Sequence, residues 1–185
     1  MDSRVAKPRV ILDFWFSEPA NKHWFKPTPE FDEEIRIKYE AIWELASTNQ
    51  LDQWQKSPEG SLALIIILDQ LPLNMFRGTA RSFCTEKKAI ETTHYAIANQ
   101  FDSKLTSTQL AFLYMPLMHS EDLQDQILSV TLFKKAGLES NLKFAKHHRS
   151  IIQRFGRFPH RNIILNRNST ADERKYLASP EAFNG

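Results

Sequence analysis

An all-α fold of about eight helices is predicted by three features. Apolar residues recur at three- and four-residue spacing through most of the chain. Capping residues stand before these stretches, with glycine or proline after them. No stretch alternates with period two or carries a hairpin turn. At 185 residues the chain reads as a single helical domain, 1–185, long enough to bury roughly 70% of its unfolded surface.

Val10 to Phe16 is short and strongly apolar, and reads as a helix whose Phe14, Trp15 and Phe16 need cover. Three prolines make Ser17 to Glu30 a loop, which Trp24 and Phe25 should pin to the core. Thr28-Pro29 then caps and opens a helix with Phe31, Ile35, Tyr39, Ile42 and Trp43 on one side. Ser57-Pro58 opens another, whose middle, Leu62 to Leu68, is apolar all round. Pro72 is expected to end it, with a turn or short helix following to Gly78. Thr85 to Gln100 forms the next helix, and the capping box Thr106 to Gln109 opens one running toward Pro116. Ser120 is expected to cap a helix ending at Gly137. Asn141 should cap the following one, with Phe144, His148, Ile151, Ile152 and Phe155 inward and Gly156 as terminator. A second capping box, Thr170 with Glu173, begins a short last helix. No repeat of about 34 residues is readable.

The composition, 42% hydrophobic and 25% charged, is that of a soluble globular protein. The lone Cys84 excludes an internal disulfide and suits a reducing cytoplasm, the expected location. The longest apolar run is far below the ~20 residues of a membrane helix, so no membrane partner is expected. A net charge of +2 is too balanced to announce nucleic-acid binding, and the prominent basic residues cluster beside acids rather than forming a stripe. Neither a glycine-rich phosphate loop nor a nucleophile elbow can be assembled. Glu91 and His94 have metal-ligand spacing but no second copy, so no metal and no cofactor are expected.

Two places stand out chemically. In Arg154 to Asn162, Arg157, His160 and Arg161 lie beyond the helix-ending Gly156, where no helix dipole accounts for them. Asp69 lies at the carboxyl end of the most apolar helix, where both dipole and desolvation penalise an anion. It needs a cation or donor, and Arg77, Arg157 and Arg161 are the obvious candidates. His119 and Glu121 flank Ser120 beside a helix start and are suited to proton transfer.

Asp13-Phe14-Trp15-Phe16, Asp69 to Asn74, Arg77-Gly78, Tyr114-Met115-Pro116, His119 to Asp122 and the arginine-rich turn resemble an uncharacterised, chiefly bacterial family. It is the domain-of-unknown-function family numbered nine hundred and twenty-four. The resemblance spans about Val10 to Leu177 and implies a tetratricopeptide-like bundle or short right-handed superhelix, with no agreed activity. Leu73 stands where arginine is expected, and Asn166 where glycine is usual.

Two functional readings follow. In the first, Asp69, Arg77, Arg157 and Arg161 bind a small anionic metabolite. In its enzymatic form, His119, Glu121 and His160 move protons in a metal-independent hydrolysis or transfer. In the second, the helices hold a peptide through exposed aromatics such as Trp24, and the charged cluster is internal ion pairing.

Overall fold

The computed structural model describes residues 7–183, and among these every regular element is helical. The α-helices are α1 (Pro8–Trp15), α2 (Glu18–Asn21), α3 (Pro29–Ser47), α4 (Pro58–Ile65), α5 (Leu71–Met75) and α6 (Glu86–Ala98). They continue with α7 (Ser107–His119), α8 (Leu123–Lys135), α9 (Glu139–Phe155) and α10 (Ala171–Leu177). The expected caps at Thr28, Ser57, Thr106 and Thr170 each accept a hydrogen bond from the first turn of their helix. The last two are full capping boxes.

Residues 58–75 form the central rod, packed against α1, α3, α6 and α7. Leu62 to Leu68 are buried to within 1% of complete. Each leucine and isoleucine among them contributes about 1.5–3 kcal/mol through burial. The α8–α9 pair packs beside α7, and a smaller core of Ile151, Ile152, Phe158 and Tyr176 joins α9 to α10.

Pro72 does not end the central helix. A π-helical turn, Ile66–Gln70, adds a residue before it, and the rod runs on through α5. Proline lacks the N–H that would bond the Leu68 carbonyl four residues back. That carbonyl instead accepts from the Thr85 hydroxyl at 2.6 Å, which in turn accepts from Trp43 Nε1 at 3.2 Å. Thr85→Val should cost about 2 kcal/mol in urea unfolding, because it strands a carbonyl and an indole N–H in the core.

Other expectations are corrected. Pro116 lies within α7, which continues to His119. Asp122, not Ser120, caps α8 through the Gln124 and Asp125 N–H groups, and the Ser120 hydroxyl donates to Asp125. Leu138, not Asn141, precedes α9, and Phe144 faces solvent. The loop 17–30 contains α2, capped by Ser17. Trp24 packs on Trp15, Phe16 and Phe112 and donates to the Trp15 carbonyl, so it is not an exposed peptide anchor. Phe25 is 71% exposed and pins nothing.

Candidate functional site: a carboxylate–imidazole pair at the π turn

Asp69 sits inside the π turn with 3% of its side chain exposed, and its partner is His119. Nδ1 of His119 lies 2.9 and 3.1 Å from the two carboxylate oxygens. Gln70 Nε2 donates to the same carboxylate and also contacts Met115 sulfur. An ionised carboxylate only accepts, so Nδ1 is the donor of this pair, and in the neutral imidazole the lone pair then lies on Nε2. No described residue bonds Nε2, and 17% of the His119 side chain remains exposed.

The surroundings hold His119 in place. It is the last residue of α7, whose terminal carbonyls lack helical partners. Arg161 Nη2 donates to the His119 carbonyl at 3.0 Å, while Gln126 donates to those of Met118 and Ser120. The Arg161 guanidinium is sandwiched between the Phe83 and Phe158 rings, 4.6 Å from each centroid, and pairs with Glu86 at 2.9 Å. Burial pushes the Glu86 carboxyl up, against the pull of Arg161 and His119.

Glu121 accepts two hydrogen bonds from Arg167, at 2.6 and 2.9 Å, and one from the Phe158 N–H at 2.7 Å. Burial would raise it, but these donors hold it below the usual carboxylate range. Arg157 grips buried Glu173 in a bidentate pair, which with the Thr170 N–H holds that carboxyl down at about 2. His160 packs on Phe158 and Phe183, and burial, then Arg161, push its imidazole down to about 4. Buried His148 is pushed by desolvation to about 3.

Asp69 therefore has an imidazole where guanidinium groups were expected. The arginine-rich turn does reach it, but only through His119. Arg77 is elsewhere, bonded with Asn74 to Asp32 of α3. Arg157 Nε and Nη2 are taken by Glu173 and the Asn168 carbonyl, and the two terminal nitrogens of Arg161 by Glu86 and the His119 carbonyl, while buried Arg161 Nε has no partner among the described residues. Among the described residues no cluster of three His, Cys, Asp or Glu side chains could hold a metal ion.

The profile of a family described as bacterial protein of unknown function, DUF924, matches residues 11–181. The chain belongs to the DUF924 family. No curated protein matches it. Among solved structures it is similar to a protein of unknown function from Agrobacterium tumefaciens, with 37% identity and a TM-score of 0.88. The alignment covers 92% of this chain and 96% of that one.

Within this DUF924 chain, sequence reasoning missed Glu86 and Arg167. Glu86 opens α6, where an acid needs no further explanation than the helix dipole. The signal was present at Asn166, whose φ of 53° is left-handed. Glycine adopts that region freely, and asparagine is among the few other residues that tolerate it. The turn lets the Arg167 N–H reach the Asn162 carbonyl at 2.7 Å and aims its guanidinium at Glu121. Asn166→Ala is expected to lower stability by about 1 kcal/mol, and Asn166→Gly to leave it unchanged or slightly raised, in thermal unfolding.

Proposed function

We propose that Asp69 and His119 form a metal-independent proton-transfer site for a small molecule, in a hydrolysis or group transfer. One observation carries the reading. A fully buried carboxylate holds Nδ1 of an imidazole whose Nε2 has no described partner and whose edge meets solvent. Such an imidazole takes a proton from water or a substrate hydroxyl at Nε2, and the carboxylate stabilises the resulting imidazolium. The Arg161–Glu86 and Arg167–Glu121 pairs act as scaffold, fixing the end of α7 and the turn behind it. Anion gripping by Arg157 and Arg161 has no part in this reading.

Two probes test it. Diethyl pyrocarbonate, which acylates accessible neutral imidazoles, should label His119 readily and leave buried His148 unlabelled in peptide mass mapping. Hydrolysis of p-nitrophenyl acetate by the protein should disappear in His119→Gln. The reading fails if His119 resists label under conditions that modify half-buried His147, or if the substitution leaves turnover unchanged.

A further inference from the structure

The average charge of the chain hides a segregation. Residues 134–156 contain Lys134, Lys135, Lys143, Lys146, Arg149 and Arg154 against the single acid Glu139, a net of +5 where the whole chain carries +2. All six are exposed except half-buried Arg149, and none forms an ion pair among the described residues. The arginines of the turn behave oppositely: Arg157, Arg161 and Arg167 are each matched to a carboxylate. The reason for setting nucleic acid aside, basic residues mixed with acids, therefore applies to the turn and to the Arg154 end of α9, which borders Asp172, Glu173 and Glu181, but not to Lys143 and Lys146.

Helical spacing makes the α9 set a stripe. Lys143, His147, Ser150 and Arg154 succeed one another at four, three and four residues, so they share one face, with Lys146 beside them. From Lys143 to Arg154 the stripe spans about 16 Å. Phe144 is 52% exposed on its flank. Exposed cations along one helix with an exposed aromatic ring beside them suit a single-stranded phosphate backbone with unstacked bases.

We infer that the outer face of α9, with the lysines ending α8, binds single-stranded nucleic acid through its phosphate backbone, without regard to sequence. Lysines act here as mobile point charges along the strand, and Phe144 offers a stacking surface. An acidic protein would favour the same charges but has no use for the rings.

Fluorescence anisotropy with a 5′-labelled twenty-nucleotide oligouridylate tests this on the full chain. Binding is expected in 50 mM NaCl and should weaken about 50-fold by 200 mM, the value for four neutralised phosphates of a single strand. The triple variant K143E/K146E/R154E should lose binding. K26E/K56E/K104E, the same charge change at exposed residues elsewhere, should stay within twofold of the unaltered chain. Phe144→Ala should weaken binding several-fold without changing the salt slope. The inference is overturned by no binding at 50 mM, by equal losses in both triple variants, or by a labelled polyglutamate peptide binding as tightly as the oligonucleotide.

Discussion

Asp69→Asn is expected to abolish the reactivity of His119 while leaving the protein folded. The side chains have the same shape, so the effect comes from hydrogen-bond polarity. Gln70 Nε2 donates to the residue-69 side chain, and an amide has a single oxygen with which to accept it. The amide NH2 is then turned toward His119 and must donate to Nδ1. The imidazole proton moves to Nε2, and the outward lone pair is lost. General-base contributions are about 10²–10⁴-fold, so the His119-dependent hydrolysis of p-nitrophenyl acetate should fall by roughly 10²-fold or more. Carbethoxylation of His119 should slow in parallel, with an unchanged far-ultraviolet circular dichroism spectrum. Retained turnover in a folded Asp69→Asn protein would show that the carboxylate does not set the state of the imidazole.

Acid should destabilise the protein well above the pH at which carboxylates normally protonate. His148 and His160 are held at about 3 and about 4, against 6.5 for an unconstrained imidazole. The unfolded chain therefore takes up both protons as pH falls through 6.5, while the folded chain refuses them until about 4 and about 3. Their contribution is fully present above pH 6.5 and is lost as pH falls through that window. One unit of pKa difference is about 1.4 kcal/mol per group, with His160 discounted for its partial exposure. Unfolding free energy should thus drop by about 4 kcal/mol between pH 7 and 4.5. Glu173 adds loss of the same sign, but only between 4.5 and about 2. Glu86 opposes it, since its raised carboxyl takes up a proton more readily in the folded state. Urea titrations at successive pH values measure the slope, and His148→Leu should remove about two-thirds of it. A flat profile from pH 7 to 4.5 would contradict the burial of these imidazoles around Phe158 and Phe183.

Helix starts were readable because their caps are local: Thr28, Ser57, Thr106 and Thr170 each need only the three residues that follow. Gly137 and Gly156 likewise mark left-handed positions, with φ of 67° and 70°. The failures are nonlocal. Whether Pro72 ends a helix depends on a hydroxyl and an indole from residues 85 and 43, which no window around the proline contains. Ser120 and Asp122 are both good caps; Asp122 takes the Gln124 and Asp125 N–H groups, and the Ser120 oxygen accepts from the Asp122 N–H.

The site was half readable for the same reason. Burial announces that Asp69 needs a donor, although the helix end expected at Pro72 is not there, and which donor arrives is settled by packing. Formal charge favoured the arginines; the end of α7 delivers His119 instead, and the arginines find the carboxylates of Glu86, Glu121 and Glu173. The phosphate-sized spacing on α9 was present in the letters. His148, Ile151 and Ile152 face inward as expected, and only Phe144, assigned to the same side, faces solvent.

The tautomer of His119 is the most direct measure of the account, and long-range ¹H–¹⁵N correlation spectra at neutral pH report it. The proton is expected on Nδ1 in the unaltered protein and on Nε2 in Asp69→Asn. A proton found on Nε2 of the unaltered protein would contradict the pairing on which the proposed chemistry stands.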